Sequence, residues 1–329
     1  MQTILVTGCA GLIGNHFSRY LLGKGHKVIG IDDLSGGYAD YLPSNKNFKF
    51  YEFNLEDKEK LSTLFSEQKI DALYHFAAYA SEGLSAFIRN FNYTNNLICS
   101  VNLINECIKH NCKIIFTSSM AVYGDSPPPF KESMVASPVD PYGIAKYAVE
   151  MDLKQAGDQF GLRYSIVRPH NVVGVYQNIW DKYRNVIGIF LYNIINNKPI
   201  LIYGDGEQTR AFSDVKFCLD PIYSLINNFD GETFNIGADK YYSINQLTAI
   251  VKKVCQSHGL AVEIKNVQGR HEVKHAWCDH TKAKNILGFD DQTNLEKMVS
   301  EMLAWSLNQP NRKQKYMNYE LDNVYDYWK

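Results

Sequence analysis

The sequence lacks most marks of a stapled, membrane-spanning or nucleic-acid-coating protein. Its seven cysteines, at 9, 99, 107, 112, 218, 255 and 278, are odd in number and include no Cys-x-x-Cys pair. That pattern argues against a disulfide framework or a zinc site and for reduced, buried thiols in a cytoplasmic compartment, so no metal is expected. Long apolar runs are missing too. The longest, residues 186–195, is interrupted by Asn193 and falls short of the roughly 20 residues a membrane helix needs. No basic segment or small-residue cleavage site accompanies the apolar run that opens at Thr3, so no signal peptide is expected. The formal net charge is only -1, which provides neither a basic field for nucleic acid nor an acidic excess for basic partners. Internal repeats and low-complexity stretches are absent. What remains is a chain of 329 residues, 45% hydrophobic and 21% charged, enough for about two domains or one large α/β unit.

Up to about residue 165, β-branched runs alternate with amphipathic stretches. Residues 3–7, 27–32, 47–53, 72–76, 113–118 and 164–168 are expected as strands; residues 12–24, 58–67, 91–110 and 142–160 are expected as helices. Such alternation implies crossover connections and a doubly wound parallel sheet of the Rossmann type, an α/β fold. Ligands of these sheets sit at the carboxyl ends of the strands. Beyond 165 the rhythm loosens, with helical patterns at 187–196, 220–228, 244–257 and 294–307 between irregular connections. We read residues 1–165 as a dinucleotide-binding domain, rejoined by a segment near 210–236, and 166–329 mainly as a smaller substrate-binding region. The aromatics at Tyr316, Tyr319, Tyr325, Tyr327 and Trp328 are expected to pack a C-terminal tail onto the body.

The first strand runs straight into Gly8-Cys9-Ala10-Gly11-Leu12-Ile13-Gly14, with a helix after it. Glycines at 8, 11 and 14 permit a tight turn, a close approach to a pyrophosphate and close helix–strand packing. The helix N-terminus adds free N–H groups and the positive end of a dipole. Asp32 closes the second strand, where a carboxylate can accept hydrogen bonds from the adenosine ribose and repel a 2′-phosphate. With no arginine nearby in sequence, the expected cofactor is NAD rather than NADP.

Tyr142 and Lys146 stand one helical turn apart, on one face. A free phenol has a pKa near 10, too high for a base at neutral pH. A neighbouring ammonium, helped by a nicotinamide cation, would lower it. Ser119 follows the fifth strand, which ends at Ser118, and either hydroxyl could support the tyrosine.

Residues Thr7 to Gly14, spaced Gly-x-x-Gly-x-x-Gly, resemble the cofactor loop of the extended short-chain dehydrogenase/reductase superfamily. Ser118-Ser119-Met120-Ala121-Val122-Tyr123-Gly124 resembles the active-site strand end of its UDP-galactose 4-epimerase group, and selects Ser119 as the catalytic serine. Further resemblances run along nearly the whole chain: His75-Phe76-Ala77-Ala78, Asn95-Asn96, Arg168-Pro169-His170-Asn171-Val172-Val173-Gly174, Tyr203-Gly204-Asp205-Gly206 with Thr209-Arg210, and Gly269-Arg270 with Glu272-Val273. The resemblance implies a catalytic set of Ser119, Tyr142 and Lys146. It implies cofactor contacts from Leu12, Ile13, Asn54, Leu55, Phe76, Ala77, Ala78, Asn96 and Pro169, besides Tyr142, Lys146 and the glycine loop. It also implies substrate contacts from Ser81, Ser119 and Asn171, with Arg210 and Arg270 gripping a diphosphate; His170, at the end of the sixth strand, is read as a pocket-lining candidate. A homodimer through the helices at 91–110 and 142–160, paired as a four-helix bundle, is implied as well.

Several positions depart from the pattern. Met120 and Ala121 stand where the 4,6-dehydratases and decarboxylases carry an acid, which argues against dehydration. Asn54 replaces an aspartate beside the adenine, Cys99 replaces a glycine, and residues 211–217 lack the usual paired acids. The activity expected is NAD-dependent 4-epimerisation of a nucleotide-diphosphate sugar through a transient 4-keto sugar. The alternative is a C4 dehydrogenase or ketoreductase on the same substrate class. A non-enzymatic NAD-binding regulator would have been expected to lose the Ser, Tyr and Lys that are present.

Overall fold

The computed structural model describes residues 1–270, 272–310, 312–313, 318–321 and 324–325. Six strands fall where the β-branched runs place them: β1 (Thr3–Thr7), β2 (Lys27–Asp32), β3 (Phe48–Glu52), β4 (Ala72–His75), β5 (Lys113–Thr117) and β6 (Tyr164–Pro169). A seventh, Thr233–Ile236, pairs in parallel with β6. The order is that strand, then β6, β5, β4, β1, β2 and β3, every pairing parallel. The order reverses between β1 and β4, so a crevice opens at their carboxyl ends.

Helices cover both faces. The first half supplies α1 (Leu12–Gly23), α2 (Lys58–Glu67), the short α3 (Glu82–Ser85) and α4 (Arg89–Tyr93), α5 (Cys99–Lys109) and α6 (Pro141–Phe160). One face buries α2, α5 and α6 around Leu5, Leu73, Phe116, Leu103 and Leu153. The other buries α1 with the helices Val215–Ser224 and Thr281–Leu287 around Ile4, Val6, Phe17, Ile222, Ala283 and Phe234. The chain thus returns to the sheet not only at 233–236 but again near 283–289. A third core joins the helices Val186–Ile195, Ile244–Ser257 and Leu295–Leu307 to the strand Ile200–Tyr203, beside the sheet.

Two local differences from expectation have physical causes. Residues 91–110 do not form one regular helix: α4 passes through a π-helical turn, Thr94–Ile98, before α5. The Asn96 side chain, turned inward there, exchanges hydrogen bonds with the Tyr79 backbone at 2.8 and 3.1 Å. Residues 211–217 are ordered with a single acid, Asp214. Ser213–Asp214 pairs with Val172–Val173, and the Asp214 carboxylate caps the next helix by accepting from the Lys216 amide. In the C-terminal tail, Tyr319 meets Tyr183, Tyr325 lies edge-on to Phe87, and Glu320 accepts from the first amides of α4. Tyr316, Tyr327 and Trp328 lie outside the described residues.

Candidate active site

The glycine loop makes a cradle that only glycine permits. Gly8 adopts a left-handed φ of +69°, and a Cβ there would come within 2.7 Å of the Ala77 amide nitrogen. A Cβ on Gly14 would meet the Gly8 carbonyl oxygen at 2.2 Å. Helix α1 then starts at Leu12 with Gly11 as its N-cap and no side-chain cap, so its first amides face the crevice for an anion. Asp32 orders the loop, accepting from the Ala10 and Leu34 amides at 2.9 and 2.8 Å, while burial raises its carboxyl pKa. Asn54 donates to Asp33 at 2.8 Å.

One cleft, with a volume of about 440 Å³, runs from this cradle across the strand ends. Gly8, Gly11, Leu12, Ile13, Gly14, Asp32, Asn54, Leu55, Phe76, Ala77, Ala78 and Pro169 line one half, and Ser119, Tyr142 and Lys146 line its middle. Toward the far end it is lined by Ser81, Asn171, Arg210 and Arg270.

The three middle residues come from β5 and α6. Ser119 caps the short 3-10 turn Met120–Tyr123, accepting from the Ala121 amide at 3.1 Å, and its hydroxyl lies near enough to the Tyr142 phenol to lower its pKa. Ser118 lines the cleft as well, but its buried Oγ has no hydrogen-bond partner among the described residues. Helix α6 begins with Pro141 behind the N-cap Asp140, whose carboxylate accepts from the Gly143 amide at 2.9 Å. This fixes Tyr142 in the first turn. Burial pushes the phenol pKa well up; the Ser119 hydroxyl and the positive charge of Arg184 oppose the rise, and Glu82 and Asp140 add to it.

Lys146 differs from expectation. Its buried ammonium donates to the Thr117 carbonyl at 2.8 Å, packs 4.8 Å from the Phe116 ring centroid, and lies 6.0 Å from that of Tyr142. The carbonyl at the carboxyl end of β5 takes the contact that helical spacing alone assigns to the phenol. Burial lowers the Lys146 pKa to about 7, with the Glu150 carboxylate opposing. Glu150 in turn holds Arg168 of β6 through both carboxylate oxygens, one at 2.9 Å, and Arg168 donates to Tyr123 at 2.8 Å. This buried group locks α6 onto the sheet.

At the far end, Arg210 donates to the carbonyls of Thr209, Val273 and Lys274. Arg270 makes two contacts with Glu272, at 3.2 and 3.0 Å, and lies 4.5 Å over the Tyr203 ring. Asn171 donates to the Ala211 carbonyl from a left-handed backbone, φ 39°. Ser81 donates to the Tyr183 carbonyl.

Two expected residues stand apart from the cleft. Asn96 is 1% exposed and holds the Tyr79 loop; its neighbour Asn95 is the one that lines the cleft. His170 is 2% exposed, stacks on His280 at 5.0 Å and contacts the Ala238 carbonyl at 3.2 Å. Its burial, with His280 beside it, lowers its pKa to about 3. It is a packed strand-end histidine, as is His75, which bridges Thr7 and Ser100.

Sequence reasoning missed Glu82, Lys182 and Arg184, all of which line the cleft. Glu82 follows β4 closely enough that the strand-end rule could have found it. The segment 177–185 carries no periodic signal.

Comparison with known proteins identifies the family. Residues 4–237 match the NAD dependent epimerase/dehydratase family. A UDP-glucuronate 4-epimerase of Thermodesulfobacterium geofontis is 30% identical, the match covering 93% of this chain and 96% of that protein. Among solved structures, a UDP-glucose 4-epimerase from Thermotoga maritima, bound to UDP-glucose, superposes with a TM-score of 0.87 at 32% identity, covering 93% and 98% of the two chains. A UDP-N-acetylglucosamine 4-epimerase from Methanobrevibacter ruminantium superposes with a TM-score of 0.85 at 32% identity, covering 94% and 99%. The chain belongs to the NAD-dependent epimerase/dehydratase family and is an NAD-dependent enzyme of the extended short-chain dehydrogenase/reductase type.

Proposed function

We propose that this chain is a nucleotide-diphosphate-sugar 4-epimerase that works through a transient 4-keto sugar. The observation that carries the reading is the meeting of Ser119, Tyr142 and Lys146 midway along one cleft, between a glycine cradle and a pair of arginines. NAD suits the cradle: Gly8 and Gly14 have no room for a Cβ, the start of α1 offers amide donors, and Asp32 is a ribose acceptor that disfavours a 2′-phosphate. Gly8, Gly11, Leu12, Ile13, Gly14, Asp32, Asn54, Leu55, Phe76, Ala77, Ala78, Lys146 and Pro169 would hold it, and Asn96 would act indirectly by fixing the Tyr79 loop. Bound there, it supplies a reversible hydride acceptor for a secondary alcohol carbon.

In this reading Tyr142 takes the proton of the sugar C4 hydroxyl and later returns it, while Ser119 donates to the same oxygen. Ser119 and Arg184 oppose, without cancelling, the burial that raises the phenol pKa, and the positive charge of a bound nicotinamide would act in the same sense. Lys146, which titrates near neutrality, supplies positive charge behind the reacting pair. Arg210 and Arg270 grip the substrate diphosphate, a task suited to forked guanidinium groups, and Ser81 and Asn171 border the sugar. Holding the diphosphate tightly and the hexose loosely lets the keto sugar turn and present its other face. The relatives are named for UDP-sugars, so UDP-glucose, UDP-N-acetylglucosamine and UDP-glucuronate are the first substrates to try, against GDP- and dTDP-sugars. The expected result by NMR is a C4 epimer of at least one sugar with no net NADH. A keto product that accumulates with equivalent NADH would replace this reading with the C4 dehydrogenase.

Residues 1–165, rejoined near 210–236, would form the cofactor half, and 166–329 mainly the substrate half. A homodimer through the helical stretches 91–110 and 142–160 is supported by the exposed apolar residues Ile98, Ile144, Met151 and Phe160. Sedimentation as a dimer at micromolar concentration is expected; a monomer would dispose of it. A cytoplasmic setting is supported by seven free, buried thiols. Among the described residues, no helix is long and apolar enough to cross a membrane.

A further inference from the structure

We propose that Arg184, carried on the 177–185 segment at the substrate side of the cleft, reaches back over Gly36 to hold the diphosphate of the dinucleotide. The inference rests on the use of NAD stated above and not on the identity of the sugar.

The terminal nitrogens of the guanidinium abut Gly36: a Cβ built on that glycine would come within 2.7 Å of Nη2, 3.1 Å of Nη1 and 3.2 Å of Cζ. The adjacent Gly37 is packed so closely on the glycine loop that its Cβ would meet the Ala10 carbonyl oxygen at 2.3 Å. The guanidinium also covers the Tyr79 ring at 4.5 Å, and its Nε lies 3.2 Å from the Asp181 carboxylate. Gly36 follows β2 and Tyr79 follows β4, and the sheet places β1 between those two strands. Arg184 therefore spans the loop that β1 feeds. A dinucleotide extended from Asp32 to Tyr142 must pass through that gap with its diphosphate at the start of α1. The Arg184 charge is felt at both ends, where it opposes the upward pull on the Asp32 carboxyl and on the Tyr142 phenol.

Three other cations that line the cleft have their places elsewhere. Lys146 is bound to the Thr117 carbonyl, Arg210 to the 273–274 carbonyls and Arg270 to Glu272. The glycine loop supplies only backbone donors, and a diphosphate with two negative charges is met well by a forked guanidinium. The segment that carries Arg184 is anchored without it. Asn178 donates to the Gly36 carbonyl at 3.1 Å, Ser81 donates to the Tyr183 carbonyl at 2.9 Å, and Asn185 caps the helix Val186–Ile195. The sequence shows no arginine near Asp32; folding brings one there from the far side of the cleft.

The test is NAD binding by titration calorimetry to the full-length protein freed of nucleotide, for wild type, Arg184→Gln and Arg184→Lys. Thermal unfolding of each without ligand checks that the fold is kept. We expect Arg184→Gln to bind NAD and ADP-ribose about 10- to 100-fold more weakly, as loss of a hydrogen bond to a charged group predicts. Arg184→Lys should recover part of the loss, the salt dependence of NAD binding should weaken in Arg184→Gln, and UDP affinity should be unchanged. Equal NAD affinity in wild type and Arg184→Gln would overturn the inference. So would a loss confined to NADP, which would mark a 2′-phosphate contact, or a loss confined to UDP, which would mark a substrate contact. A wild-type protein that binds no NAD would instead remove the cofactor assignment itself.

Discussion

The buried ion pair between Glu150 of α6 and Arg168 of β6 gives the sharpest link between stability and site. Glu150 is 6% exposed and Arg168 is 6% exposed, and the carboxylate meets the guanidinium through both oxygens. Glu150→Gln keeps the shape but leaves the Arg168 charge buried without its counter-ion. Breaking a pair of this kind costs about 3–5 kcal/mol. Unfolding entropy of about 2.1 cal/mol/K per residue over 329 residues is about 0.7 kcal/mol/K, so Tm should fall by about 4–7 °C. The same change removes the carboxylate that opposes the lowering of the Lys146 pKa, so Lys146 should titrate below 7. Differential scanning calorimetry measures the first effect, and the pH dependence of kcat/KM on the preferred sugar nucleotide measures the second. A Tm within 1 °C of wild type, with an unshifted pH profile, would refute the claim that this pair holds the catalytic helix and tunes its lysine.

Three further outcomes follow from the same geometry. Tyr142→Phe should lower kcat by about 10²–10⁴-fold while leaving NAD affinity within a few-fold, because only the proton-transferring oxygen is lost; rates and calorimetry on one preparation separate the two. Gly14→Ala drives a methyl group into the Gly8 carbonyl, so NAD binding should collapse and stability should fall by about 1–3 kcal/mol, read by calorimetry and urea unfolding. Lys146 has a folded pKa of about 7 against 10.5 ordinarily, so between those values the unfolded chain binds more protons and folding stability gains with rising pH. In NAD-free Lys146→Met that gain should shrink by up to about 1.4 kcal/mol per pH unit within the window, and identical slopes would show that Lys146 is ordinary.

The parts legible in the sequence are those set by local geometry. Six strands, the glycine loop and the Tyr142–Lys146 spacing depend on neighbours within a turn or a strand, and each stands where its pattern places it. The strand Thr233–Ile236 was legible only as a segment returning to the sheet, since its short apolar run gains meaning from pairing with β6. The π-helical turn at 94–98 escaped because nothing near Asn96 shows that Tyr79 will engage it. The Lys146 contact escaped for the same reason: its acceptor is Thr117, far back in the chain at a strand end. His170 seemed a pocket residue because it follows β6, yet the nearby His280 and Ala238 enclose it. Arg184 is the extreme case, with Gly36 and Tyr79 meeting it only after three separate loops converge.

The central claim is that one hydrogen leaves C4 of the sugar and comes back to the same carbon on the opposite face. Running the reaction in D₂O and recording the proton spectrum of the product tests it directly. The account predicts a C4 epimer that keeps its protium at C4, formed without net NADH. Deuterium at C4, or turnover of no sugar nucleotide under conditions where NAD is bound, would contradict it.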